Sequence, residues 1–210
     1  MIYDAETLSI EAFDKLPVMA GRPGIIKACL ERVPAEGHVL EFGVWAGGSI
    51  NFIADLVPGK IVHGFDSFEG LPEDWVMDKA AEVTTHKKGH FAVKGLPAVR
   101  KNVVLHKGWF EKTVPAWLEA NEGPVSFLHN DSDLYSSTAC VLTEFNKRLV
   151  PGTIILFDEL SDWSKALKKV YPNWREHEWK ALLEWMRDYD RKIIPLFRTS
   201  TYQAAVMVEG

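Results

Sequence analysis

Five short apolar runs, at 38–42, 61–65, 103–106, 124–128 and 153–157, constrain this chain more than any other feature. Most are followed by apolar residues at helical spacing. Ile50, Ile53, Ala54 and Val57 follow the first. A short helix around 114–120 follows the third, and Val141, Leu142, Phe145 and Leu149 follow the fourth. After the fifth, Trp179, Leu182, Leu183 and Met186 give one face of a helix over 176–189. Strands alternating with helices imply a parallel sheet with right-handed crossovers. Two last runs, 193–197 and 204–208, have no helix between them and imply a hairpin. The expected fold is therefore an α/β, doubly wound sheet, mostly parallel with an antiparallel C-terminal strand.

The runs end in acid or polar residues: Glu41, Asp66, His129-Asn130-Asp131-Ser132-Asp133 and Asp158-Glu159. Ligands bind at the carboxyl ends of the strands in such sheets, so these groups are expected on one edge. After Glu41 comes a glycine-rich turn, Gly43-Val44-Trp45-Ala46-Gly47-Gly48-Ser49, and then a helix. Glycines let the backbone approach a ligand, and N–H groups at the new helix start would face it. The turn lacks G-x-G-x-x-G, and an acid before it would repel a pyrophosphate. It suits a ligand with positive charge, such as S-adenosylmethionine; a turn built only for packing is the other reading. Asp66 follows by the distance expected of an acid on ribose hydroxyls, or else caps a helix.

Asp131, Asp133, Asp158 and Glu159 form an all-oxygen cluster of the kind that suits Mg²⁺, Mn²⁺ or Ca²⁺. Asp133 also fits as a helix cap and Glu159 as a solvated acid. The histidines show no metal-ligand spacing. His177 opens the last helix, where it could act as a base or lie at the surface beside glutamates. No G-x-S-x-G elbow and no P-loop lysine pattern occur.

With 210 residues the chain fits one domain, 1–210. A net charge of -5 excludes an electrostatic nucleic-acid footprint. Two cysteines, Cys29 and Cys140, read as small buried residues in a reducing compartment, and no signal peptide or membrane span is read. The expected location is the cytoplasm. An N-terminal helical segment is expected over about 1–35, with Pro23 near a helix start. The polar, aperiodic stretch over about 73–95 is expected to be a lid-like insertion near the ligand. Eight tryptophans suit a pocket or an interface, and the partners expected are a small-molecule acceptor and a second copy in a homo-oligomer.

Five segments occur in order: EFGVWAGGS from Glu41, FDSFEGLP from Phe65, KGWF from Lys107, DSDLYSST from Asp131 and VPGTIILFDE from Val150. Together they resemble the macrocin O-methyltransferase type of class I S-adenosylmethionine-dependent methyltransferases. The resemblance implies a Rossmann-like sheet and O-methylation of a sugar or phenolic hydroxyl with a divalent metal, Mg²⁺. By the same resemblance, Glu41 to Ser49 hold the methionine part and Asp66 the ribose, and Gly108, Trp109 and Phe110 lie by the adenine. Ser67, Phe68 and Asn130 join that cofactor site. Asp131, Asp158 and Glu159 fall on the metal positions, and Asp131 or His177 takes the proton. The chain departs from the family at Asp158-Glu159, where two aspartates are typical, and at His129-Asn130, where an arginine is common. A nicotinamide-dependent oxidoreductase and a non-catalytic cofactor-binding relative are the alternatives.

Overall fold

The computed structural model describes residues 1–78, 86–164 and 171–210. Among them lie β1 (Val18–Met19), α1 (Gly21–Leu30), β2 (His38–Phe42), α2 (Gly48–Leu56), β3 (Val62–Asp66), β4 (Val103–Lys107), α3 (Phe110–Ala120) and β5 (Val125–Asn130). There follow α4 (Tyr135–Glu144), β6 (Ile154–Phe157), α5 (Glu178–Asp188), β7 (Ile193–Thr199) and β8 (Ala204–Val208). The strands make one sheet in the order β1-β7-β8-β6-β5-β2-β3-β4. Only the β8 pairings are antiparallel, as the closing hairpin requires.

Residues on the central strands β5 and β6 are buried throughout. Helices cover both faces, so these strands read as continuous apolar runs and not as alternation. On one face α1 and α2 pack Ile25, Ile26, Ile50 and Ile53 against Val39, Phe127, Ile154 and Leu156. On the other, α3, α4 and α5 pack Val114, Val141, Leu182 and Trp185 against Leu40, Phe42, Leu128 and Phe157. Trp185 takes the place on the apolar face of α5 expected for Leu183, which is only partly buried.

Two stretches differ from expectation. The first twenty residues hold a 3-10 turn, Ile10–Phe13, and the two-residue β1, not a helix. They act as a strap: Tyr3 bridges to Ile193 and β1 pairs with Arg198 and Thr199 at the sheet edge. The 73–95 stretch is tied down at its described ends. Trp75 bridges to His86, Leu71 N–H donates to the His90 carbonyl, and Gly70 has no room for a Cβ, which would sit 2.2 Å from that oxygen. Residues 79–85 of the expected lid lie outside the described residues.

A ring ladder crosses β2, β3 and β4. Phe42 stacks on Phe65 at 4.7 Å and Phe65 on His106 at 4.5 Å. Beneath it, Trp117 Nε1–H donates to His63 Nδ1 at 3.3 Å, and His106 Nε2 lies 3.1 Å from the same atom. His63 therefore serves as a neutral acceptor. Burial, then His106 and His38, push its pKa down to about 4. The unfolded chain takes up this proton near pH 6.5, so the contribution of His63 is lost as pH falls from about 6.5 toward about 4. We expect His63→Gln to remove that dependence. Urea unfolding of the two proteins from pH 7 to pH 4.5 should show wild type losing stability relative to the variant, and a constant gap would exclude the histidine as the cause.

At the carboxyl edge the backbones of β2 and β5 nearly touch. A Cβ on Gly43 would lie 1.8 Å from the Asp131 carbonyl oxygen, and Gly43 has φ +89°. Gly43→Ala combines a left-handed non-glycine residue with a backbone clash and should cost about 2–4 kcal/mol. A loss below about 1 kcal/mol in urea titration would mean that the two strand ends part easily.

Candidate active site

One further ladder bond holds the residue after each of β2, β4, β5 and β6. Gly43 N–H donates to Phe65 O at 2.9 Å, Asp131 N–H to Phe42 O at 2.8 Å, Asp158 N–H to Asn130 O at 2.9 Å and Gly108 N–H to Asp66 O at 2.9 Å. The strand ends thus share one rigid rim. The rim borders a cavity of about 630 Å³, within the usual size range of small-molecule sites. It lies where the strand order reverses, with β2 between β3 and β5, the position at which such sheets bind ligands.

Asp66 organises one side. Its Oδ2 accepts from the Val44 and Trp45 amides, each at 2.8 Å, and its Oδ1 accepts from Phe68 N at 2.6 Å. About three of four acceptor sites on the carboxylate are thereby filled, and Asp66 still lines the cavity. Trp45, Phe68 and Asp133 are non-glycine residues at φ +46°, +59° and +63°. Such strain concentrates at functional sites.

Alternation along the strands sorts the buried polar groups onto two faces. Glu41 pairs in register with His129 and Phe42 with Asn130. On the α1 side, the fully buried His129 places Nδ1 3.1 Å from Glu41 Oε1 and Nε2 3.4 Å from Asp158 Oδ1. Burial opposes its charge, but the bonds to Asp158 and Glu41 outweigh burial and carry its pKa up to about 10. Arg22 reaches in from α1, bonding Asp131 Oδ2 at 3.0 Å and also Asp158 Oδ2. Gln203 donates to Asp158 as well. On the α5 side, Asn130 Nδ2 donates to Thr138 at 3.0 Å and to Glu178 at 2.5 Å, while Glu178 Oε2 accepts from Glu159 N at 2.8 Å.

Two groups of three residues bring one ligand atom each within 4.8 Å of one another: His129, Asp131 and Asp158, and Asp131, Asp133 and Glu159. The first suits a metal less well, because both ring nitrogens of His129 are already engaged, by Glu41 and Asp158. The second is all oxygen, which suits Mg²⁺, and all three of its members line the cavity. Glu159 Oε2 is buried without a hydrogen-bond partner. Burial and the neighbouring carboxylates push Asp133 and Glu159 well above the usual carboxylate range. Burial and Asp158, against Arg22 and His129, bring Asp131 up to about 7. Crowded acids in want of a cation fit a divalent ion.

Of the residues expected at the site, Gly43, Trp45, Asp66, Ser67, Trp109, Phe110, Asp131 and Glu159 line the cavity. Glu41 does not, since its carboxylate faces His129. Nor does Asn130, held by Thr138 and Glu178, nor Asp158, turned toward Arg22 and His129. Val44 and Phe68 are buried in the apolar cluster on the α1 and α2 face, and Val44 and Phe68 reach the site through their amides on Asp66. Gly47 starts α2 at φ +82°, followed by Gly48 and Ser49, and these three lie off the lining, as does Gly108. His177 lies outside the cavity lining, with its Nε2 3.3 Å from the Val76 carbonyl. Sequence reasoning missed Arg22, Glu178 and Gln203. Glu178 left a trace, an acid in line with Leu182, Trp185 and Met186 on the buried stripe of α5.

A family described as Macrocin-O-methyltransferase (TylF) matches residues 18–190. The 8-demethyl-8-(2,3-dimethoxy-alpha-L-rhamnosyl)-tetracenomycin-C 4'-O-methyltransferase of Streptomyces olivaceus is 31% identical over 154 residues, 64% of this chain and 58% of that protein. The chain spans only about three-fifths of the length of the curated relatives it matches, 58% and 60%. The calicheamicin methyltransferase CalS11 superposes with TM-score 0.69 at 24% identity over 88% of this chain and 77% of its own. The MycE methyltransferase of mycinamycin biosynthesis, solved with Mg and SAH, gives TM-score 0.55 at 16% identity over 89% and 49%. The family match covers most of the chain, strap edge to last helix, and the chain belongs to the macrocin-O-methyltransferase (TylF) family.

Proposed function

We propose that the protein is an S-adenosylmethionine-dependent O-methyltransferase acting on a hydroxyl of a small sugar-bearing acceptor, assisted by Mg²⁺. One observation carries the reading: a single cavity has the Asp66-fastened glycine turn on one wall and Asp131, Asp133 and Glu159 on another. The first wall suits an adenosyl ligand and the second a metal with the acceptor oxygen. The rhamnosyl substrate named for the Streptomyces relative and the Mg and SAH named for MycE support the same assignment.

In the transfer, the acceptor oxygen bonds to the methyl carbon, the carbon–sulfur bond breaks, and the hydroxyl proton leaves to a base. S-adenosylhomocysteine and a methyl ether result. Alignment of oxygen, carbon and sulfur is a positioning task, and the rim of ladder-bonded strand ends performs it. Asp131 lines the cavity, which supports it as the group that takes the proton. Asp131, Asp133 and Glu159 would hold the ion, which would supply a Lewis acid to lower the pKa of the acceptor hydroxyl. Trp75, Lys88 and Phe91 from the 73–95 stretch lie on the cavity wall, supporting a lid over the bound ligands. Free Cys29 and Cys140 agree with a reducing cytoplasm. No helix among the described residues is long and apolar enough to cross a membrane.

S-adenosylhomocysteine should raise the melting temperature and NADH should not; the reverse would move the chain to the oxidoreductase reading. Methyl transfer from labelled S-adenosylmethionine to a 6-deoxyhexose glycoside should fall with EDTA and return with Mg²⁺ or Mn²⁺. Asp131→Asn should lower kcat by about 10²–10⁴-fold, the range of a lost general base. Asp66→Asn should weaken S-adenosylhomocysteine binding by about 1–3 kcal/mol in calorimetry. Full turnover in excess chelator would remove the metal from the mechanism.

A further inference from the structure

We propose that Arg22 is a resident cation of the metal site: it shares Asp131 with the divalent ion, and loading the ion breaks the Arg22–Asp131 bridge while Arg22 keeps Asp158. The inference rests on the metal reading above.

Asp131 belongs both to the Arg22 bridge, at 3.0 Å, and to the Asp131, Asp133 and Glu159 group. A guanidinium on one carboxylate oxygen and a divalent ion on the same group repel each other. The two cations beside the cluster differ in freedom. His129 is fully buried and bonded on both ring nitrogens, to Glu41 and Asp158. Arg22 keeps 41% of its side-chain surface exposed and lines the cavity. Only Arg22 has room to give way. Its fork also has a second partner in Asp158, so releasing Asp131 does not strand the charge.

The position of Arg22 in its helix points the same way. It is the second residue of α1, and the first turn of α1 carries no acid. A cation there opposes the helix dipole. That local cost is offset only by partners from elsewhere, and Asp131 and Asp158 are those partners. The bridge therefore tethers α1 to the ends of β5 and β6 before the ion arrives.

The test uses the full chain, stripped of metal, with Mn²⁺ as the probe. Free Mn²⁺ is counted by electron paramagnetic resonance, and melting temperature is read with and without the ion. Arg22→Ala should bind Mn²⁺ at least tenfold more tightly than wild type. Without metal it should melt lower, and Mn²⁺ should raise its melting temperature more than that of wild type. Arg22→Lys keeps one charge but loses the fork that bridges two carboxylates, so it guards against an Arg22→Ala protein that does not fold. It should bind Mn²⁺ at least threefold more tightly. Equal or weaker binding by the variants overturns the sharing of Asp131 and leaves the metal reading standing. If wild type and both variants all fail to bind Mn²⁺, the metal reading falls and this inference with it.

Discussion

The site depends on one buried charge: the imidazolium of His129 between Glu41 and Asp158. Register makes this arrangement unavoidable, because β2 and β5 pair Glu41 with His129 on the α1 side of the sheet. Deleting one partner of a buried ion pair typically costs about 3–5 kcal/mol, since the other is left without compensation. His129 thus keeps Asp158 ionised where burial would protonate it. Asp158 illustrates the balance: burial pushes its pKa up, yet the His129 bond and Arg22 hold it below the ordinary value. With Asp158 fixed, Arg22 gains an anchor, and α1 is pulled onto the ends of β5 and β6.

The opposite face solves the same problem without a cation. Asn130 is one residue beyond His129 and points toward α4 and α5, where Thr138 and Glu178 meet it. Glu178 has both oxygens occupied, by Asn130 and by the Glu159 amide. Burial and nearby carboxylates push its pKa well up. Its role is geometric: it fastens the first residue of α5 to the ends of two strands, which sets where the backbone of Glu159 leaves the sheet. Satisfied polar networks rigidify a structure, and the bonds of Asn130 and Glu178 brace the rim from this face.

Much of the fold was legible because the central strands are buried on both faces, so their apolar runs stand out against polar loops. The strand β2 is found at 38–42 as read, and the closing hairpin follows from the missing helix between two strands. The strand β5 runs two residues past the expected end at Leu128. His129 and Asn130 look like loop residues because polar side chains are mostly exposed; they are strand residues because partners from α5, β2 and β6 satisfy them. Those partners are remote in sequence, Glu178 lying 48 positions from Asn130 and Arg22 136 positions from Asp158. Spacing along one chain carries no trace of such pairs until the topology is known. The strap was misread as a helix for a related reason: its backbone bonds go to β7, a strand nearly the whole chain away.

The tandem acids Asp158-Glu159 show how the pleat divides neighbouring residues between tasks. Both follow β6, yet Asp158 turns to His129, Arg22 and Gln203 while Glu159 lines the cavity. Asp158 already has three donors, two of them cationic, and is the acid least in need of an ion. Glu159 has an oxygen with no partner, and burial and the neighbouring carboxylates are the main influences on it. The proposed ion would therefore lie on the Glu159 side, where Asp133 completes an oxygen set. A pair of adjacent acids reads in sequence as one ligand unit. In this sheet the alternation of side chains makes the first acid part of the scaffold and leaves the second facing the chemistry.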